Sequence, residues 1–201
     1  TSLGILKNMV KAGGIAVAGR VFPCDIGAFN GDFFVYVAAF GLFTEVSYKT
    51  SQEWKNVLGH AAYILEGAKC LHDIPSFLMQ VEYDNVRLQD EFIYGMISNS
   101  TSVGGILTLD PSVVDMQDGK FELMLIRPPK DAVELMGCIQ ALTGQRYDTP
   151  MLTFCSASCL TVTANPEMPW TLDGEKEEGH ETVEVENLHR AIRLIQKGAV
   201  V

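Results

Sequence analysis

The sequence predicts a mainly β protein of the α+β class, an antiparallel β-sandwich with two or three peripheral helices. Many short segments alternate apolar and polar residues and are bounded by turn residues, whereas only two or three segments have helical periodicity. The chain has 201 residues, of which 47% are hydrophobic and 20% are charged. A chain of this size and composition can bury a large core. Short strands with few helices favour antiparallel sheets that pack face to face.

The amino-terminal part is predicted to contain a helix and a hairpin. Residues 1–18 have a helical pattern, and residues 21–29 and 32–40 are apolar-rich runs on either side of Asn30-Gly31. Asn-Gly is the strongest short hairpin signal, because both central residues of a type I′ turn need a positive φ. We therefore expect two antiparallel strands joined by a tight turn.

A second helix and a second hairpin follow. Between residues 51 and 71 the apolar residues recur at three- and four-residue steps, which predicts one amphipathic helix. Residues 77–83 and 86–98 then alternate at period two and flank the turn pair Asp84-Asn85. This pattern predicts a second β-hairpin.

The carboxy-terminal part is predicted to contain one more helix among short strands. Residues 121–127 form a predicted strand, which Pro128-Pro129 ends, and residues 129–142 form a predicted helix. The remaining predicted strands are short and separated by turn residues: 152–156, 159–164, 170–172, 181–186 and 189–195.

Charge and cysteine content argue against several classes of function. The chain has 15 Lys and Arg against 25 Asp and Glu, a net charge of −10, which disfavours binding to phosphate backbones, so we expect no nucleic-acid partner. No apolar run reaches the roughly 18–20 residues of a membrane span, and we expect a cytoplasmic protein. The five cysteines are odd in number and form no Cys-x-x-Cys pair, which indicates neither a disulfide framework nor a zinc site.

A polar loop with glycines, residues 99–105, directly follows an apolar predicted strand. The simpler interpretation is a connection that needs unusual backbone angles. The functional interpretation is a loop whose backbone approaches a substrate.

Residues 110–120 form a second polar stretch, with clustered carboxylates around Asp118-Gly119. Carboxylate and carbonyl oxygens on a tight turn suit a hard cation such as Mg²⁺. The acidic spacing of an EF-hand loop is absent. Taken alone, an Asp-Gly turn before a strand is more often only a turn.

A third stretch, residues 172–179, carries Asp173 and Glu175 around a glycine. Two carboxylates on a sharp turn could supply a general base and a partner that orients it. The competing interpretation is a hairpin turn with a solvated acidic rim.

Eight short segments occur in an order that is more specific than any one of them. They are Asp25-Ile26-Gly27, Asn30-Gly31, residues 34–41, residues 44–48, Asn99-Ser100, Asp110-Pro111, Asp118-Gly119 and residues 172–175. Across nearly the whole chain this order resembles the carboxy-terminal domain of the bacterial diacylglycerol kinase-like lipid kinases, relatives of sphingosine kinases and, more distantly, of NAD kinases. Residues 44–48 resemble the soluble, diacylglycerol-specific branch.

The resemblance implies a Mg²⁺-dependent kinase that transfers a phosphoryl group from ATP to diacylglycerol and forms phosphatidic acid. In that family the ATP site lies in an amino-terminal half, with a Gly-Gly-Asp-Gly-Thr loop and a Gly-Thr-x-Asn-Asp motif, and this sequence has neither. We therefore expect residues 1–201 to be a carboxy-terminal, substrate-side domain, inactive alone, whose nucleotide-binding domain is absent from this chain. The resemblance also implies peripheral contact with the membrane and leaves a homodimer open.

The resemblance assigns roles to individual residues. Glu175 corresponds to the base that accepts the proton of the lipid hydroxyl, and Asp173 lies beside it in the same network. Asp118 corresponds to the side-chain ligand of a structural Mg²⁺, and the carbonyls of Asp115 and Lys120 correspond to its backbone ligands. Asn99 and Ser100 are expected at the substrate.

Two other functions stay open from the sequence. A noncatalytic β-sandwich that binds lipid or protein would retain the same turns as structure. An NAD kinase-like enzyme fits the fold, but it explains the Asn-Gly hairpin and the Asp-Gly-Glu segment less well.

Overall fold

The computed structural model describes residues 8–41, 75–103 and 107–197, and this part of the chain contains two helices and fourteen strands. The helices are α1 (Met9–Ala18) and α2 (Ala132–Thr143). The strands are β1 (Arg20–Phe29), β2 (Asp32–Phe34), β3 (Val37–Gly41), β4 (Phe77–Tyr83), β5 (Val86–Phe92), β6 (Tyr94–Ser98), β7 (Ser102–Val103), β8 (Leu107–Thr108), β9 (Phe121–Ile126), β10 (Leu152–Ala157), β11 (Cys159–Thr163), β12 (Trp170–Leu172), β13 (Glu175–Glu177) and β14 (Thr182–Gln196).

Twelve of these strands form two six-stranded sheets. Sheet A has the order β2-β1-β14-β11-β4-β5, and sheet B has the order β10-β9-β6-β3-β12-β13. The pairings within both sheets are antiparallel. Strands β7 and β8 pair separately. The predicted antiparallel β-sandwich is confirmed.

One buried cluster fills the space between the sheets. Trp170 of sheet B is 1% exposed, and its ring centroid lies 5.1 Å from that of Phe29 in sheet A and 5.1 Å from that of Phe40 in sheet B. Phe34 of sheet A meets Phe121 of sheet B at 5.3 Å. Aromatic contacts of this kind bury large apolar areas, and here they join the two layers.

The two helices differ in how they pack. In α2, Cys138 and Ala141 are buried in a second cluster on the outer face of sheet B. The helix begins three residues later than the predicted range of 129–142, because Asp131 caps it by accepting from two amides of the first turn. No residue of α1 is buried. The predicted helix over 51–71 lies outside the described residues.

Two segments that were each predicted as one strand change sheets in the middle. The segment 32–40 contributes β2 to sheet A and β3 to sheet B, and the segment 86–98 contributes β5 to sheet A and β6 to sheet B. The single-strand predictions are wrong because apolar residues continue through each crossing, so the sequence pattern does not mark the point where the chain leaves one layer.

The reverse difference occurs near the carboxy-terminal end of the described chain. The segments 181–186 and 189–195, predicted as two strands, form the single strand β14. A register shift between Cys24 and Ile26 of β1 interrupts the pairing of β1 with β14, and Arg190 has a φ of 51° at this place. A β-bulge therefore bends a continuous ribbon, which explains the break in the sequence pattern.

None of the helices in the described ranges is both long and apolar enough to cross a bilayer.

We expect Gly27→Ala to lower the free energy of unfolding by about 1–3 kcal/mol, the usual cost of overpacking a core. A Cβ at Gly27 would overlap the ring of Phe34, which is fully buried. The matched control is Gly137→Ala in α2, where a Cβ has no neighbour within 4 Å. That change should raise the free energy of unfolding by about 0.5–1 kcal/mol through helix propensity. Urea unfolding measures both, and equal effects of the two substitutions would contradict the packing described.

Candidate functional site

The three polar stretches singled out in the sequence meet at one end of sheet B. Val37 at the start of β3 pairs with Ser98 at the end of β6, and Ser98 pairs with Glu122 near the start of β9. On the other side of β3, the Asp173 amide donates to the Val37 carbonyl at 2.8 Å. The antiparallel pairing thus brings the strand ends that carry these loops together at one end of the sandwich.

Asp173 organises the crossing from sheet A to sheet B. Its carboxylate accepts hydrogen bonds from the amides of Val35 (2.8 Å), Tyr36 (2.8 Å) and Val37 (2.9 Å). Its backbone lies in the left-handed region at φ 53°, and Gly174 follows at φ 93°. This is the arrangement of a type I′ hairpin turn between β12 and β13. Both Asp173 carboxylate oxygens are engaged by backbone amides, which is a structural use of this side chain.

Glu175 is the first residue of β13, an edge strand that the sequence pattern did not indicate. It pairs with Leu172, which is buried, while Glu175 itself is exposed. The turn fixes the backbone of Glu175, and the exposed side chain remains accessible. The predicted acid-base pair is therefore divided: Asp173 binds amides of the fold, and Glu175 presents a carboxylate to the exterior.

The Asp118-Gly119 turn lies at the same end of the sandwich, directly before β9. The Asp118 carboxylate accepts from the Lys120 amide at 2.9 Å, and the Asp115 carboxylate accepts from the Gln117 amide at 3.0 Å. Gly119 has a φ of 80°. The side chains of Asp115, Asp118 and Lys120 are exposed. The turn therefore holds its carboxylates outward.

A buried carboxylate that sequence reasoning did not single out as a site residue anchors this turn. Asp25 is 0% exposed, and its carboxylate accepts from the Gly119 amide at 2.7 Å and from the Arg190 amide at 2.6 Å. His189 Nδ1 lies 3.2 Å from Asp25 Oδ1. One carboxylate thereby joins the turn before β9 to the bulge of β14. The sequence feature that could have identified Asp25 is a charged residue within an otherwise apolar predicted strand.

The backbone of Asp25 extends the same connection to the loop after β6. The Asp25 amide donates to the Met116 carbonyl at 2.9 Å, and Asn99 Nδ2 donates to the Asp25 carbonyl at 2.8 Å. The Asn99 amide in turn donates to the Tyr36 carbonyl at 3.1 Å. Asn99 and Ser100 are both buried. Asn99 thus ties the stretches together, and its predicted place at the substrate stays a prediction.

Glu122 gives the turn an unusual electrostatic environment. It is 1% exposed, and its Oε2 atom has no hydrogen-bond partner among the described residues. The pKa of Glu122 is raised to about 8, mainly by burial, and the nearby charges of Asp118 and Asp115 contribute in the same direction. Acidic groups crowded in this way favour the binding of a cation.

The Asp118 turn is the place where the Mg²⁺ that the resemblance implies would bind. The described residues contain no group of three or more His, Cys, Asp or Glu side chains arranged to hold a metal ion. A Mg²⁺ site does not require three such side chains, because the ion commonly binds one or two carboxylates and keeps several waters. The donors at Asp115, Asp118 and Lys120 are oxygens beside a negatively charged neighbourhood, and they fit a hydrated Mg²⁺.

Comparison with known proteins points to one group of enzymes. No protein-family model matches the chain. It is 30% identical over 195 residues to the diacylglycerol kinase of Bacillus subtilis (strain 168), covering 96% of this chain and 64% of that protein. It is 28% identical over 176 residues to the diacylglycerol kinase of Staphylococcus carnosus (strain TM300), covering 87% of this chain and 56% of that protein. The chain thus spans less than two thirds of the length of these relatives.

The fold has a counterpart among solved structures. A crystal structure of a diacylglycerol kinase from Bacillus anthracis str. Sterne superposes with a TM-score of 0.72 at 22% identity, covering 100% of this chain and 65% of that one. This similarity shows a shared fold.

Replacing Asp173 should test its structural role. We expect Asp173→Ala to lower the free energy of unfolding by about 1–3 kcal/mol, because three backbone amides lose their acceptor. Glu175→Gln, on the same turn, should change it by no more than about 0.5 kcal/mol, since the side chain is exposed. Urea unfolding of the two variants measures the difference, and an Asp173→Ala chain as stable as the parent would remove Asp173 from the fold's framework.

Proposed function

The chain belongs to the diacylglycerol kinase-like family, and from that premise we propose that it is the substrate-side domain of a lipid kinase. In this proposal the complete enzyme transfers the γ-phosphoryl group of ATP to the primary hydroxyl of diacylglycerol and forms phosphatidic acid. The observation that supports it is the convergence of the Asp173-Gly174-Glu175 turn, the Asn99 loop and the Asp118 turn at one end of the sandwich.

The chemistry of the reaction explains why such a site needs rigid positioning. Phosphoryl transfer depends mainly on alignment of the acceptor and on stabilisation of charge. A lipid hydroxyl is a weak nucleophile at neutral pH, so a carboxylate that accepts its proton accelerates the reaction. Glu175 suits that role, since its backbone is held by the turn and its side chain is exposed.

Asp173 then acts through the position of its neighbour. Its carboxylate accepts from three backbone amides, and this fixes the turn from which Glu175 projects. We therefore assign Asp173 to positioning and Glu175 to proton transfer.

The Asp118 turn is the proposed cation site. The Asp118 carboxylate and the carbonyl oxygens of Asp115 and Lys120 would hold a hydrated Mg²⁺. When bound, the ion would supply positive charge that offsets the carboxylates of the turn. In this chain, Asp25 holds the turn in place through the Gly119 amide.

The nucleotide site is proposed to lie in another part of the complete enzyme. The sequence contains no glycine-rich phosphate loop, and the relatives are longer than the matched region. The kinase would work in the cytoplasm and meet the membrane surface, where its lipid acceptor resides.

The first test of the function is Glu175→Gln in the full-length kinase. We expect kcat with diacylglycerol vesicles to fall by about 10²- to 10⁴-fold, the usual contribution of a positioned base, while the thermal midpoint stays nearly unchanged. Glu178→Gln, an exposed carboxylate three residues away, is the matched control and should leave kcat close to normal. Phosphatidic acid formed at the parent rate by Glu175→Gln would remove Glu175 from proton transfer and leave the motif as a structural turn. A parent enzyme that forms no phosphatidic acid would instead favour the noncatalytic binding module.

A second test concerns the chain by itself. We expect the 201-residue chain to show no kinase activity and no tight binding of ATP with Mg²⁺, because it lacks a phosphate-binding loop. Calorimetric titration with ATP measures this. Saturable binding in the micromolar range would place the nucleotide site within this chain and contradict the proposed division of the enzyme.

A further inference from the structure

Helix α1 is apolar on all sides, and the described part of the chain leaves it uncovered. Seven of its ten residues are Met, Val, Ile or Ala, and Lys11 is its only charged residue. Met9, Val10 and Val17 are 87%, 85% and 91% exposed. A helix that is hydrophobic all round is normally buried, either inside a larger protein or in a membrane.

The sequence of α1 does not form a stable helix by itself. Gly13 and Gly14 lie in its middle, and each glycine costs a helix about 1 kcal/mol relative to alanine. Isolated helices shorter than about 12–15 residues are marginal in water, and helices in proteins gain most of their stability from packing. Because no residue of α1 is buried in the described structure, the packing that stabilises it has to come from a partner.

The exposed apolar surface continues onto the strands beside α1. Val21 of β1 and Ile195 of β14 pair across the two strands, so their side chains share one face, and they are 60% and 38% exposed. A Cβ at Gly19 would lie 2.7 Å from a side-chain carbon of Ile195, which places the end of α1 against this strand pair. Among the described strands, this part of β14 pairs with β1 alone. We call the following residues the α1 face: Met9, Val10, Val17, Val21 and Ile195.

The dimensions of α1 favour a protein partner over a bilayer. Ten helical residues extend about 15 Å, half of the roughly 30 Å of a hydrocarbon core. A helix that lies in the membrane surface has a polar face rich in Lys and Arg opposite its apolar face, whereas α1 has one lysine. The neighbouring strands do carry exposed Arg20, Arg193 and Lys197, whose charge an anionic membrane would attract. The test below therefore includes vesicles.

The place of the α1 face in the chain points to its partner. Helix α1 begins at Met9, and β14 ends at Gln196, which pairs with Arg20 beside the end of α1. Both ends of the described chain therefore lie at this part of the molecule. The matched region is 64% and 56% of the two diacylglycerol kinases, so more than a third of each relative lies outside it. Polypeptide continuing from either end would emerge beside the α1 face.

We propose that the α1 face is the surface on which the nucleotide-binding part of the complete kinase docks. This inference rests on the division of the enzyme in the proposed function, and it goes beyond it by naming the contact surface on this chain. In the complete enzyme the side chains of Val10 and Val17 are then buried, and α1 belongs to the core that joins the two parts.

Cysteine labelling of the full-length kinase tests the proposal without a measurement of activity. Val17→Cys and Val133→Cys each place a thiol on a helix, at residues that are 91% and 79% exposed in this chain. Mass spectrometry of the labelled peptides separates these thiols from the native cysteines. We expect a water-soluble maleimide to react with Val17→Cys at least about 10-fold more slowly than with Val133→Cys, because docking limits access to the thiol. Equal rates would show an uncovered α1 face and overturn the proposal.

Thermal melts of the full-length kinase supply a second readout. Val17→Gln and Val133→Gln introduce the same polar side chain on α1 and α2 without adding a charge that a helix dipole would affect. We expect Val17→Gln to lower the Tm by about 2–6 °C, because docking would bury an amide without a partner. Val133→Gln, at an exposed residue, should shift it by less than about 1 °C. Equal shifts in the two variants would contradict a buried Val17.

Two other occupants of the α1 face give different results, and either one overturns the proposal. If a second copy of the kinase covered it, the protection of Val17→Cys would disappear on dilution to the monomer, which light scattering detects. If a membrane covered it, Val17→Cys would react as fast as Val133→Cys in buffer and slow only with phosphatidylglycerol vesicles.

The outcomes also separate this inference from the proposed function. A full-length protein that forms no phosphatidic acid while Val17→Cys stays protected would contradict the lipid kinase activity and leave the docking surface standing. A full-length protein that forms phosphatidic acid while Val17→Cys reacts as fast as Val133→Cys would overturn the docking surface and leave the kinase activity standing.

Discussion

The buried carboxylate of Asp25 is the interaction on which this end of the molecule depends. A carboxylate with no exposed surface is stable only when hydrogen bonds replace its water, and Asp25 receives them from the amides of Gly119 and Arg190. The chain adopts a positive φ at Arg190 and a register shift in β1 to provide that geometry. The local irregularities are thus consequences of one buried charge.

The rest of the site extends outward from that anchor. The backbone of Asp25 binds the loop before β9 and the side chain of Asn99, and Asn99 binds the crossing segment that Asp173 holds. The core behind these loops is closely packed, with aromatic rings joining the two sheets. A packed sandwich that presents loops at one end is a common way to place chemistry on a stable scaffold. The two sheets therefore hold the loop residues of the site in position.

Local signals in the sequence were sufficient for the fold class and the tight turns. The Asn30-Gly31 and Asp84-Asn85 pairs form two-residue turns between paired strands. The conformation of such a turn depends on about four consecutive residues, so the local sequence is sufficient to predict it. The three polar stretches were also found, since polar residues interrupt apolar runs there. The sequence did not predict the points where a strand changes sheets, because these points depend on packing against the other sheet. The role of Asp25 was missed for the same reason: its partners Gly119 and Arg190 lie 94 and 165 residues further along the chain.

The central claim is that Asp25 makes this end of the sandwich one cooperative unit, and native-state hydrogen exchange of Asp25→Asn measures that most directly. The account predicts that the amides of Val37, Asn99, Gly119 and Arg190 all exchange faster and with similar opening free energies, while amides in the middle of β9 keep their protection. Faster exchange confined to Gly119 and Arg190, with Val37 and Asn99 protected as in the parent, would contradict it.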